Sequence, residues 1–276
     1  MTIIINPNEL DDKKNVRKGQ PVRPNRSVKV NYRNALYDIT RMLGKNTQEI
    51  TSLYASGAPA VQVIDQLNDA IARSQARADA EAERIAEQFL DDANIQNKQR
   101  FENMLKQSLG VDYLSTISGE NTAIALQVAR AANVGLIKSI ASEHWSKVLL
   151  AVNQNLSGTL DMPLTSRLKQ IGGITTKRAQ LIARDQTSKI TSQLNQARQF
   201  DAGIKSYTWR TAEDERVVGT PGGLYPKGNK AHRNHYKRNG EKFYWKSPPS
   251  DGHPGEAINC RCIAIPIIEI SELNTL

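Results

Sequence analysis

The residues able to do chemistry are concentrated between Tyr207 and Cys262. Both cysteines, Cys260 and Cys262, lie there with three of the four histidines, His232, His235 and His253. Soft sulfur and imidazole donors suit Zn²⁺. His235 (or His232), His253, Cys260 and Cys262 are therefore a candidate structural zinc set. The spacing argues against it, because Cys260-Arg261-Cys262 puts alternate residues on one face of a strand where metal knuckles use two intervening residues. The competing expectation is two reduced thiols and hydrogen-bonded histidines closing a small domain. A mutual disulfide between cysteines this close is not expected, and two cysteines make no disulfide framework, so a reduced, intracellular chain is expected.

Two further sets of residues accompany this one. The acids and bases Arg184, Asp185, Asp214, Glu215 and Arg216 can fix a turn or lock strands to a helix through charge-assisted hydrogen bonds. Asp185 has no evident cleft to raise its pKa, so no general base and no catalytic residue are expected. Between Tyr225 and Lys246, the cations Lys227, Lys230, Arg233, Lys237, Arg238, Lys242 and Lys246 face one acid, Glu241, and interleave with Tyr225, Tyr236, Phe243, Tyr244 and Trp245. Phosphate neutralisation with stacking on aromatic faces is how sequence-independent nucleic-acid grooves work. Aromatics on a strand can equally be core.

The elements that must position these residues follow from periodicity. Residues 1–30, with Gly19, Pro7, Pro21, Pro24 and an excess of cations, read as an irregular basic arm. From Tyr32 to Phe200 the apolar spacing of three and four gives helices only. Breaks are expected at Gly44, Ser56–Pro59, Asp91–Asn97, Gly110, Ser157–Pro163 and Gly172-Gly173. Caps are expected at Asn121-Thr122 and Thr175. The Ala-rich stretch from Ala70 to Ala86 suits either close helix packing or a solvated helix. His144, beside Trp145, reads as structural. Tyr207 and Trp209 alternate onto one face of a strand, and Pro266 makes Ile263–Ile268 an edge strand. The expected fold is α+β. A mostly α-helical N-terminal part (31–160) follows the arm and precedes a small C-terminal α+β domain (161–276), whose short antiparallel sheet packs on the Thr175–Phe200 helix. No run of roughly 18 apolar residues is present, so no membrane span is expected. The formal charge of +9 favours polyanionic partners.

Read in order, RAQLIARDQT (Arg178–Thr187), WRTAEDERV (Trp209–Val217), His235, Asn239-Gly240, the aromatic segment Phe243–Trp245 and PPSDGHPGEAINCRC (Pro248–Cys262) resemble the phage Mu F-like family of minor head, or head morphogenesis, proteins. Residues 1–160 carry no matching motif. The chain departs from the family pattern in an insertion, Val218 to Asn234. It also has Val218 and Gly219 where some relatives carry a cysteine pair, which removes a four-cysteine site. The resemblance implies a motif network of Arg184, Asp185, Asp214, Glu215, Arg216, His235, Gly240, His253, Cys260, Arg261 and Cys262. It implies a non-enzymatic virion protein of the phage head, assembled in the host cytoplasm. Its partners would be the portal protein, major capsid or scaffold proteins and packaged double-stranded DNA, with no membrane. The alternatives are an HNH-like metal-dependent nuclease, suggested by HRNH and GHPGE, and a DNA-binding module outside any virion.

Overall fold

The three- and four-residue apolar spacing upstream of Tyr207 resolves, in a computed structural model that describes residues 16–109, 119–226 and 233–273, into four helices. These are α1 (Arg26–Ala55), α2 (Ala60–Leu109), α3 (Glu120–Leu156) and α4 (Leu164–Asp201). Strands β1 (Val16–Lys18), β2 (Ser206–Arg210), β3 (Lys242–Tyr244) and β4 (Ile263–Glu269) form one antiparallel sheet, in the order β1-β4-β2-β3. The fold is α+β and mostly helical, and the small sheet joins three strands of the C-terminal part to β1 from the N-terminal end.

The chain divides into two compact units that are interleaved along the sequence. One comprises residues 26–90 and 129–184, the other residues up to 25, 91–128 and 185 onward. The boundaries fall inside α2, α3 and α4, not at the sequential borders expected at 30 and 160. The reason is that three expected breaks do not form. Gly44 lies on the exposed side of α1, while Leu43, Thr47 and Ile50 keep that helix buried. The Asp91–Asn97 stretch continues α2, and Gly172-Gly173 lies within α4. Breaks do form at Ser56–Pro59 and Ser157–Pro163. Gly110 lies outside the described residues.

The helical unit buries α1 at Val28, Tyr32, Leu36, Ile39, Leu43 and Ile50, a three-and-four spacing. Ser74, Ala78, Ala82 and Ala86 on α2 are fully buried, so the Ala-rich stripe is a packing seam. Several of the polar groups enclosed there are paired across helices, although the Trp145 indole N–H is buried without a hydrogen-bond partner among the described residues. The Tyr32 hydroxyl donates to Asn133 Oδ1 at 2.9 Å, and its ring stacks on Phe89 at 3.9 Å. His144 lies between Thr47 Oγ1 (2.8 Å from Nε2) and Thr175 Oγ1 (2.9 Å from Nδ1). Thr175 is thus a buried mid-helix residue and not a cap, and His144 is structural. By length and composition α3 could cross a bilayer, although no unbroken apolar run marks it in the sequence. Helices of soluble proteins pass the same test, and α3 buries Asn133 and His144 with protein partners.

In the other unit, the end of α2 (Phe101, Met104, Leu105) packs with Val22, Ile204 and Ile268. Arg198 of α4 is buried among amides: its Nη1 donates to Asn97 Oδ1 (2.6 Å), and its Nη2 to Asn94 Oδ1 (2.5 Å). Asn97 in turn donates to Asn195 (2.8 Å), which donates to the Val22 carbonyl (3.0 Å). The start of α3 is capped from a distance. Asp201 accepts the Asn121 and Thr122 backbone N–H groups at 3.2 and 3.4 Å, so the capping oxygens are not those of Asn121 or Thr122.

Two expectations about strands are corrected. The arm is not irregular throughout, because Val16–Lys18 pairs with Ile267–Glu269 and Arg26 already belongs to α1. Residues 1–15 lie outside the described residues. β4 is not an edge strand, being paired by both β1 and β2. Pro266 is tolerated because β1 pairing ends at Lys18↔Ile267, so the missing N–H costs no ladder bond there. The Pro266 carbonyl still accepts the Gly19 N–H at 2.9 Å. Gly19 allows that approach, since a Cβ at this position would come 2.5 Å from Pro266 Cγ.

Candidate metal centre

Strand β2 is buried from Ser206 to Trp209. It sets Tyr207 and Trp209 into an apolar cluster with Trp245, Cys260, Cys262 and Ala264. The expected alternation of Cys260 and Cys262 holds just ahead of β4, with both thiols free and buried. The His235 ring meets them from a short 3₁₀ turn (Tyr236–Arg238) that it precedes. Its Nδ1 lies 3.6 Å from Cys260 Sγ and 3.5 Å from Cys262 Sγ.

Asn239-Gly240 holds this turn against β2. Gly240 has φ +90, its N–H donates to the Trp209 carbonyl (2.8 Å), and the Asn239 side chain accepts the Thr211 N–H (3.0 Å). The loop carrying the cysteines is also fixed. Asn259, in the left-handed region at φ 59, donates its N–H to Asp185 Oδ1 at 2.8 Å, and Lys189 pairs with the other oxygen of Asp185 at 2.8 Å. Gly255, at φ +93, donates its N–H towards Cys260 Sγ (3.4 Å). A Cβ there would come 2.9 Å from Ser192 Cβ, so the position needs glycine.

The donor set fits a tetrahedral Zn²⁺. With Zn–N near 2.05 Å and Zn–S near 2.3 Å, tetrahedral geometry separates N from S by about 3.6 Å. His235 Nδ1, Cys260 Sγ and Cys262 Sγ all lie within 4.8 Å of one another. The surroundings have the form of an outer shell. His235 Nε2 lies 3.1 Å from Asp251 Oδ2, and the other Asp251 oxygen pairs with Arg238 at 2.7 Å. The Trp209 indole N–H is buried without another hydrogen-bond partner among the described residues, and it sits beside Cys262, where it favours a thiolate.

The electrostatics single out Cys260 as the more acidic thiol of the pair. The Cys260 thiol is held well below its ordinary pKa, first by the hydrogen bond from Cys262 and then by His235, despite burial. Cys262 is pushed up by the hydrogen bond and charge of Cys260 and by burial. Burial alone would lower His235, but Cys260 and Asp251 outweigh it, and the net direction is up.

Three of the four expected zinc donors come together, and His253 does not join them. Its Nδ1 meets the Tyr207 hydroxyl at 2.9 Å, and its ring packs on Trp245 at 4.8 Å. Burial lowers its pKa, keeping it a neutral part of the aromatic core. His232 lies outside the described residues.

In the charged set, Arg261 grips Asp214 with two guanidinium nitrogens at 2.5 Å each, and Arg216 adds its N–H at 3.0 Å. Arg261 beside Asp214 holds that carboxyl far below the usual range. Glu215 is exposed, and its contribution is the backbone carbonyl, which accepts the Leu224 N–H at 2.7 Å. Arg184 is exposed and belongs to the helical unit.

The basic-aromatic stretch is only partly a surface. Arg238 is turned inward onto Asp251 and stands 4.9 Å over the Trp209 ring. Trp245 is buried, its indole N–H on Gln199 at 2.9 Å. Lys242 pairs with Glu269 at 3.2 Å. Arg233, Lys237 and Lys246 are exposed, as are Tyr225, Tyr236 and Tyr244. Lys227 and Lys230 lie outside the described residues. Sequence reasoning missed Asp251, the place of Trp209 beside the cysteines and the inward role of Arg238. Asp251 lies inside the PPSDGHPGE segment, but nothing in its spacing points to His235.

The chain is 31% identical over 273 residues to an uncharacterized protein of Haemophilus influenzae, a match that takes in 95% of this chain and 58% of that relative. It thus spans little more than half the relative's length. No family model and no solved structure matches the chain.

Proposed function

We propose that this chain is a minor head protein of a tailed phage or prophage, of the Mu F-like kind. It would associate with the portal and procapsid during head assembly and contact packaged DNA without sequence preference. One observation carries the reading. Residues from the separated segments that bear the resemblance meet in one unit through specific bonds, the first segment contributing Asp185: Asp185 to Asn259, Asp214 to Arg261, Gly240 to Trp209, and His235 to the cysteine pair. Ordered motifs that converge in this way support a shared architecture. The His235, Cys260 and Cys262 set would hold a structural Zn²⁺, which clamps the 3₁₀ turn to the start of β4. Exposed Arg233, Lys237 and Lys246 would supply phosphate contacts.

The nuclease alternative is weaker, because a water-activating histidine needs a free ring nitrogen facing substrate. Among the described residues, both nitrogens of His235 are engaged, and Nδ1 of His253 is on the Tyr207 hydroxyl. The test is co-sedimentation of the full-length chain with portal-containing procapsids, with plasmid cleavage assayed in parallel. Association without cleavage is expected. Cleavage that His235→Ala abolishes would replace this reading with the nuclease.

A further inference from the structure

The candidate metal site has three protein donors, and zinc takes four. Among the described residues the donor group ends at His235, Cys260 and Cys262. The nearby candidates for a fourth are engaged: Asp251 is on the far nitrogen of His235, Asp214 is gripped by Arg261, and His253 is on Tyr207. Where the protein fills three positions, the fourth is left for an outside ligand.

Beside the three donors lies a cleft. His235, Cys260 and Cys262 form part of the wall of an open cavity of about 430 Å³, within the size range of small-molecule sites. Arg216, Arg233 and Arg261 contribute cations to its lining and Asp251, paired with Arg238, one acid, while Val217, Tyr225 and Ile258 contribute apolar surface. Tyr225 and Ile258 are 56% and 74% exposed. Arg261 and Arg216 are already paired with Asp214, so the cation offered to a ligand is Arg233, and an aromatic ring and an isoleucine held open to solvent beside it match an anion carried on an organic body.

We propose that the fourth coordination position of this site opens into the cleft and binds a carboxylate. The proposal rests on the metal reading given under the proposed function. A carboxylate oxygen is a competent zinc donor, and a guanidinium such as that of Arg233 recognises the second oxygen through paired N–H donors. Inorganic phosphate would meet the charge but leave the apolar lining uncovered. The carboxylate could belong to a free small acid or to the C-terminus of a partner protein, and the test separates the two.

The full-length chain is loaded with Co²⁺, and its visible d–d bands are followed while sodium acetate is added. Parallel titrations use a short apolar peptide whose only carboxylate is its C-terminus, and the same peptide amidated. The expected result is a saturable band shift with acetate and with the free-acid peptide, and none with the amide. Arg233→Ala should weaken it about two- to fivefold, the worth of one exposed charge pair. A much tighter response to the peptide than to acetate assigns the ligand to a protein terminus; equal responses assign it to small acids. Bands indifferent to both probes overturn the proposal. So does a response that appears only in His232→Ala, since the fourth donor is then that histidine. Failure of Co²⁺ to bind at all removes the metal reading along with it.

Discussion

His235 Nε2 lies 3.1 Å from Asp251 Oδ2, on the side of the ring opposite the two cysteine sulfurs. The carboxylate therefore fixes which nitrogen points at the sulfurs and raises the basicity of that nitrogen. Arg238 fixes the carboxylate in turn.

Asp251→Asn should lower zinc affinity about 10- to 100-fold while the far-ultraviolet spectrum of the helices stays unchanged, because outer-shell carboxylates contribute that much. Competition against a chromophoric chelator measures it. Unchanged affinity would mean that the pair only packs the loop.

Burial, with the Lys147 charge second, lowers the pKa of His144 to about 4. In the unfolded chain its pKa is the ordinary 6.5. Between these values the unfolded chain takes up a proton that the folded chain refuses, so stability is full above pH 6.5 and falls as the pH drops towards 4. At ~1.4 kcal/mol per pH unit, the loss attributable to His144 reaches ~2–3 kcal/mol near pH 4.5. Urea midpoints of the full chain against His144→Gln, at about pH 7 and about pH 4.5, read this directly. The variant should show the smaller drop, and parallel slopes would contradict the assignment.

Arg198→Met keeps most of the side-chain volume but leaves Asn94 and Asn97 without their donor. Buried acceptors left unpaired, together with the missing charge-assisted bonds, should cost ~3 kcal/mol in chemical denaturation. A cost below ~1 kcal/mol would mean that water satisfies these amides.

If Arg233, Lys237 and Lys246 contact phosphates, the triple alanine variant should bind duplex DNA with a shallower salt dependence. The slope of log K against log salt should fall by roughly 2 to 3, at about 0.9 for each phosphate no longer neutralised. Equal slopes for the two proteins would assign DNA binding to other residues.

Local features of this fold are readable in the sequence, and distant pairings are not. The alternation of Tyr207 with Trp209 and of Cys260 with Cys262 gives the strand faces, and the spacing in α1 and α2 gives the buried stripes. Nothing in VRK marks a strand. β1 exists because β4, far away in sequence, offers it a ladder, and for the same reason Pro266 sits in an inner strand. The partners of His144, Thr47 and Thr175, come from two other helices and carry no local signal. Glycines on exposed helix faces read as breaks because local propensity cannot see the packing that overrides it. At the candidate metal centre the donor types are evident from the sequence, but membership is decided in three dimensions: His253 has the right chemistry and packs instead into the aromatic core.

The most direct test of the proposed role is sedimentation of the full-length chain with purified portal-containing procapsids, beside particles lacking the portal. The account predicts co-sedimentation that depends on the portal and is abolished in a Cys260→Ser/Cys262→Ser variant that keeps its helical content. A chain that stays in the supernatant with both kinds of particle would contradict it.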